Sequence, residues 1–237
     1  MQIRAIATGS TRLERLIRKW GMSFIINDDT LFDVFGNPSI FQKQLDKLSI
    51  DITKIKNIII SHDDWDHISG LWRVLERNKN VTVYICPNFS QEIKDKIRAY
   101  NVKIVEVNGF IEISNGIYST GEMPGVSDKR TIYEQSLVLQ TPKGTVVMTG
   151  CAHQGIINIV EKTISKFKDK IYLLIGGMHL KDITKKEVDE TVLELKNYGI
   201  ENVAPMHCTG KYATYMMKKT FGQNFISIKE GSNINLA

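Results

Sequence analysis

Directly after the apolar run Ile58-Ile59-Ile60 the chain reads Ser61-His62-Asp63-Asp64-Trp65-Asp66-His67. His62, Asp64, Asp66 and His67 place four possible metal ligands within six residues. Imidazole and carboxylate together suit zinc, iron or manganese. A capping role for Ser61 and the acids, ahead of the helix expected from Ile68, explains part of this loop. It does not explain two histidines and three acids. Gly70 then permits a tight turn beside a bound ligand. Trp65 either walls the resulting pocket or packs beneath it, and packing is the reading favoured.

The whole chain has five histidines: His62, His67, His153, His179 and His207. Each falls just past a segment that reads as an apolar strand. A hydrogen-bonded structural histidine is an ordinary reading of any one of them. It does not explain why all five stand at strand ends. Histidine is the commonest side-chain metal ligand near neutral pH, so the expectation is a metal centre assembled from distant loops.

The elements that must position these residues follow from patterning. Strands are expected over 3–7, 24–27, 30–35, 57–60 and 81–86, with 24–27 and 30–35 paired around Asp28-Asp29. Segments 103–107, 110–113 and 117–120 read as antiparallel strands with glycine turns. A hairpin crosses Pro142-Lys143 between 136–141 and 144–149. Helices are expected over 39–48 (after Pro38), 68–76, 90–100, 155–168 and 185–198. The last third repeats one theme. Strands at 146–149, 172–175 and 201–204 end in Gly150-Cys151-Ala152-His153, Gly176-Gly177-Met178-His179 and Pro205-Met206-His207-Cys208. Hairpin-linked strands followed by strands alternating with helices give a mixed α/β (α+β) layered fold, expected as a single domain over 1–237, with ligand sites at strand ends.

Composition narrows the function. Of 237 residues, 42% are hydrophobic and 24% charged, which is ordinary for a globular chain. No apolar run approaches the roughly 20 residues of a membrane helix, and Met1 to Ile6 reads as a strand, not a secretion signal. Three well-separated cysteines argue against a disulfide framework and fit a reducing, cytoplasmic setting. A net charge of +5 favours a small anionic substrate mildly. The lysines form no aromatic-interleaved stripe, which argues against nucleic acid. The sequence assigns no oligomeric state.

Ser61-His62-x-Asp64-x-Asp66-His67-x-x-Gly70 resembles the signature of the metallo-β-lactamase superfamily. Trp20-Gly21-Met22-Ser23, Gly150 to Gly155, Gly177-Met178-His179-Leu180 and His207-Cys208-Thr209-Gly210 resemble one branch of it. That branch comprises metal-dependent hydrolases of β-lactamase superfamily II, many named 7,8-dihydropterin-6-methyl-4-(β-D-ribofuranosyl)aminobenzene-5′-phosphate synthase. The resemblance implies an αβ/βα four-layer sandwich with one or two divalent metals at one edge. Zinc comes first, with iron or manganese as alternatives. The implied ligands are His62, Asp64, Asp66, His67, His153 and His207, with Asp33 supporting the metal loop from behind.

Departures from the family pattern matter. Asp64 stands where a second histidine is usual, as in iron-binding members. Glu122 stands near a histidine position that is otherwise empty. The usual bridging acid is replaced at Thr149-Gly150-Cys151. Either Cys151 binds as thiolate or His153 takes the task, and His153 is favoured. His179 aligns with a substrate-contacting histidine, so it is read as a general acid or substrate contact. The implied activity is hydrolysis of a phosphorylated or ester-like small molecule by a metal-activated water, with Asp66 orienting that water or accepting its proton. Two alternatives stay open. One is a condensing enzyme of pterin cofactor biosynthesis, and the other is a non-catalytic metal- or ligand-binding domain with a degenerate site.

Overall fold

Alternation of period two sorts the strand residues onto opposite faces, and three separate apolar cores follow from it. The computed structural model describes residues 1–127 and 130–237. Its first half runs β1 (Gln2–Gly9), α1 (Arg12–Leu16), β2 (Gly21–Ile26), β3 (Thr30–Phe32), α2 (Pro38–Lys47), β4 (Asn57–Ile59), α3 (Trp65–Ile68), α4 (Leu71–Arg77), β5 (Thr82–Ile85), α5 (Gln91–Arg98) and β6 (Lys103–Glu106). Then come β7 (Ile111–Ser114), β8 (Ile117–Ser119), β9 (Met123–Ser127), β10 (Arg130–Glu134), β11 (Leu137–Thr141), β12 (Gly144–Thr149), α6 (Ile156–Phe167), β13 (Ile171–Gly176), α7 (Lys185–Asn197), β14 (Asn202–Pro205), α8 (Lys211–Phe221) and β15 (Asn233–Asn235).

The strands form a seven-stranded sheet, order β15-β1-β2-β3-β4-β5-β6, and a six-stranded sheet, order β14-β13-β12-β11-β8-β7, with β9 and β10 as a separate pair. One face of each sheet meets the other sheet. Met22, Phe24, Phe32 and Ile59 of the first pack with Leu137, Val146, Met148, Leu173 and Ile175 of the second. The intervening residues point outward. Ile25, Leu31, Ile58 and Ile60 pack with Phe41, Leu45, Val74 and Ile97 of the helices on the first sheet. Val147, Leu174 and Val203 pack with Ile159, Val192 and Met217 on the second. Helices, sheet, sheet, helices is the four-layer sandwich. Burial of these apolar faces is its main stabilisation.

Local chemistry sets the element ends. Asn37 Oδ1 accepts hydrogen bonds from Ser39 N and Ile40 N, with Pro38 in the first turn, an N-terminal arrangement suited to its missing N–H. The single helix expected over 68–76 is two. The chain turns at Gly70, whose N–H donates to Phe35 O and whose Cβ, if present, would lie 2.0 Å from Val34 O. The expectation of three antiparallel strands over 103–120 fails for the first. β6 pairs in parallel with β5 in the seven-stranded sheet, because α5 makes the crossover between them. Only β7 and β8 are antiparallel. The sequence reading also missed α1, the β9–β10 pair, α8 and β15.

Candidate metal centre

Neighbouring parallel strands deliver one site. β3 and β4 are parallel neighbours in the first sheet, and β12, β13 and β14 are parallel neighbours in the second. Asp33 follows β3, and the Ser61–His67 loop follows β4. Cys151 and His153, then His179, then His207 follow the other three. The loops turn sharply as they leave the strands. Asp33 (φ 54°), Ala152 (φ 63°), His179 (φ 47°) and His207 (φ 51°) all take left-handed backbone conformations, a local cost that concentrates at functional sites.

All five imidazoles form one row, His207, His67, His62, His153, His179. Successive ring centroids are 5.0, 4.1, 4.8 and 4.4 Å apart. Within it two ligand groups share Cys151. His67, Cys151 and His207 bring their ligand atoms within 4.8 Å of one another, as do His62, Cys151 and His153. In the first group His67 Nε2 is 3.2 Å from His207 Nε2 and 3.5 Å from Cys151 Sγ. Asp66 Oδ2 lies 3.4 Å from His67 Nε2 and 3.1 Å from His207 Nε2. Beside the second group Asp64 Oδ2 lies 3.7 Å from His62 Nε2, while Asp64 Oδ1 pairs with Arg130.

The hydrogen bonds behind the rings decide which nitrogen faces the centre. His207 Nδ1 is 2.9 Å from Gly9 O, a carbonyl that can only accept. His67 Nδ1 is 2.6 Å from Asp33 Oδ2, and His153 Nδ1 is 2.9 Å from Glu134 Oε2. Ser61 Oγ–H donates to Asp33 Oδ2 at 2.8 Å, so Ser61 Oγ accepts from His62 Nδ1 at 2.8 Å. In all four rings Nδ1 is therefore the donor, and the Nε2 lone pair is left for the centre. His62 Nε2 is buried and has no hydrogen-bond partner among the described residues. Lone pairs converging with carboxylates and a thiol fit a divalent cation, which would satisfy them together.

Electrostatics agree. Burial opposes charge on His67, but Asp33 and Asp66 outweigh it and raise its pKa well above the ordinary value. Burial raises the pKa of Asp33 despite His67. The shared proton belongs on His67, because Ser61 N–H and Oγ–H both donate to the Asp33 carboxylate. Burial also opposes ionisation of Asp66, yet the His67 and His207 imidazoles hold its carboxyl well below the usual range. His62 is pushed down by burial and by His67. With no cation, a proton on His67 balances the acids around it.

The arrangement brings together His62, Asp66, His67, His153 and His207, with Cys151 in the middle and Asp64 at the edge. Asp33 lies behind His67. Glu122 does not join them. Its N–H is held by Val107 O, and its carboxylate accepts from Asn88 N and Nδ2. The acid that the sequence reading missed is Glu134. It is fully buried and accepts hydrogen bonds from Cys151 N, Ala152 N and His153 N at 2.7 to 2.9 Å. Nothing local marks it, since it ends a strand whose pairing was not foreseen. Gly150 lets that loop approach the metal loop, because a Cβ there would fall 2.1 Å from Ser61 Oγ. Trp65, expected to pack beneath the loop, is 39% exposed and lines the cleft above the centre.

That cleft has a volume of about 410 Å³ and is lined by Arg15, Trp20, Trp65, Arg130, Lys181 and the ligand residues. A four-layer α/β sandwich whose two sheets present histidines, acids and a cysteine at one shared edge defines a candidate metalloprotein with an open, cation-rimmed cleft. The chain belongs to the metallo-beta-lactamase superfamily, whose model matches residues 27–207. It is 27% identical to the 7,8-dihydropterin-6-methyl-4-(beta-D-ribofuranosyl)-aminobenzene-5′-phosphate synthase of Methanocaldococcus jannaschii, across 90% of this chain and 89% of that one. It superimposes on the crystal structure of Tm1679, a metal-dependent hydrolase of the beta-lactamase superfamily, with TM-score 0.80 and 26% identity over 100% of this chain and 99% of that one. The short form of human tRNase Z shares the fold, with TM-score 0.64 and 14% identity over all of both chains.

Proposed function

We propose that this chain is a metal-dependent hydrolase that acts on a small phosphorylated or ester-like molecule. One observation carries the reading: imidazoles from two different sheets direct Nε2 atoms at a common centre, with His67 and His207 3.2 Å apart, at the base of a cleft rimmed by cations. One or two divalent metals, zinc first and iron or manganese next, would be held by His62, Asp64 and His153 and by Asp66, His67 and His207, with Cys151 between. Their chemistry is Lewis acidity and a lowered pKa for bound water.

The chain's own residues do the rest. Asp33 and Glu134 fix the tautomers of His67 and His153. Asp66, held as the anion, accepts a hydrogen bond from the attacking water and orients it. A carboxylate so stabilised is a weak base, so orientation and not proton abstraction is its part. Arg15, Arg130 and Lys181 attract and seat the anionic group of the substrate.

A second reading, condensation to a phosphorylated, ring-bearing product, draws support from the similarity to the M. jannaschii synthase and from Trp20 and Trp65 in the cleft wall, which suit a flat ring. The same cations would then hold the phosphate of the partner. A panel of phosphodiesters, phosphomonoesters and lactones, run in isotopically labelled water with the metal-loaded protein, separates the two. Label in the product supports hydrolysis. Turnover only when two organic substrates are supplied, with no label incorporated, contradicts it.

A further inference from the structure

The edge holds a third group of potential ligands, which shares Cys151 with the two already described and adds His179 and Cys208. Cys151, His179 and Cys208 bring their ligand atoms within 4.8 Å of one another. Cys208 follows the ligand His207 and is buried, and its Sγ lies 3.5 Å from Cys151 O. His179 stands at the end of β13 in a left-handed conformation. Its Nδ1 is buried with no hydrogen-bond partner among the described residues. All three residues line the cleft.

Two sulfurs and an imidazole differ in kind from the Asp/His set. Thiolates select soft or borderline cations, zinc above all, and three protein ligands leave a fourth, open position, the pattern of a catalytic zinc site. Two thiolates also neutralise a divalent ion, so a buried site of this composition carries no net charge. We propose that Cys151, His179 and Cys208 form a thiophilic cation site of their own, taking zinc or a similar ion, with its open position facing the cleft. Cys151 joins this site to the neighbouring cluster. The assignment makes His179 a ligand in place of a proton donor, and it holds whether the enzyme hydrolyses or condenses. A thiol packed for structure alone would account for the Cys208 contact with the Cys151 carbonyl. It would not account for a half-buried imidazole beside both sulfurs whose buried Nδ1 has no hydrogen-bond partner among the described residues.

Titration of the full-length, metal-free chain with cobalt(II), read at the ultraviolet sulfur-to-cobalt charge-transfer band, tests this. Zinc content by elemental analysis gives the stoichiometry. Cys208→Ser and His179→Ala are each expected to lose one metal equivalent, and Cys208→Ser also charge-transfer intensity, with far-ultraviolet circular dichroism unchanged. Undiminished stoichiometry and absorbance in Cys208→Ser, or undiminished stoichiometry in His179→Ala, overturns the site. Should Cys208→Ser fail to fold, His179→Ala decides alone, since its side chain is 26% exposed. His67→Ala separates this question from the hydrolase reading. Metal lost there but fully kept in Cys208→Ser sinks the third site and leaves the Asp/His cluster standing.

Discussion

The two sheets contribute to the centre in opposite styles. The seven-stranded sheet concentrates its candidate ligands in one loop, Ser61–His67, and braces that loop with one buried acid, Asp33. The six-stranded sheet spreads its candidate ligands over three strand ends, one histidine each at 153, 179 and 207, and braces the first with a buried acid, Glu134. His207 relies on a backbone carbonyl, Gly9 O, contributed by the opposite sheet. A loop that carries several ligands has many chances to be ordered by its own hydrogen bonds. Single ligands on separate strands depend on strand register, which the inter-sheet core fixes.

If that contrast is right, the largest effect belongs to the brace of the concentrated loop. Asp33→Ala strips partners from Ser61 N, Ser61 Oγ and His67 Nδ1 at once. It should cost about 3–5 kcal/mol, the scale of a broken buried pair, and abolish metal binding. Urea unfolding and elemental analysis read both. A loss under about 1 kcal/mol would mean that the loop is ordered without its brace.

Glu134→Ala comes next. It unpairs three backbone N–H groups of one loop, at about 1–3 kcal/mol for leaving buried donors unsatisfied. Metal affinity should fall roughly 10- to 100-fold, as for other partners behind a ligand, with the Asp33-braced loop intact. Isothermal titration of the metal-free variant measures it, and unchanged affinity would contradict the role given to Glu134.

The acid limb of stability sharpens the same contrast. In the folded, metal-free chain, burial disfavours the Glu134 anion, but His62, His153 and the loop amides overcome it and lower its pKa. Asp66 is lowered too. Depressed carboxylates contribute stability that is complete above the unfolded pKa, about 4, and is lost as pH falls towards the folded value. Thermal melts should therefore show a steep decline below about pH 4, and Glu134→Gln should flatten it. An equally steep decline in the variant would contradict this account.

The smallest effect lies at the rim. Arg15→Ala and Lys181→Ala remove exposed or half-exposed cations that stand over Trp20. Each should weaken inhibition by inorganic phosphate a few-fold, in line with about 1 kcal/mol for a screened contact, while leaving metal content unchanged. Variants with unaltered phosphate inhibition would remove these side chains from substrate binding.

The same asymmetry governed what the sequence disclosed. The Ser61–His67 loop was legible because its candidate ligands are adjacent, and the superfamily resemblance began from it. His153, His179 and His207 were legible through their shared place at strand ends and through the motifs Gly150 to Gly155, Gly177 to Leu180 and His207 to Gly210 that resemble the family branch. Glu134 was not legible. It lies 17 to 19 residues before the amides it holds, and its strand pairs with β9 outside both main sheets. A mixed, layered α/β fold followed from strand and helix alternation, and the four-layer order from the family resemblance. β6 was misplaced because four residues cannot themselves say which sheet they join, whereas the crossover helix before them does. α1 escaped notice because Leu13 and Leu16 face solvent, so its pattern has no buried stripe.

The most direct test of the central claim is anomalous diffraction at the zinc, iron and manganese edges from crystals of the intact chain. The account predicts density among His62, Asp66, His67, His153 and His207, within bonding distance of imidazole Nε2 atoms from both sheets. Rings of the two sheets turned apart, with no anomalous peak between them, would contradict it.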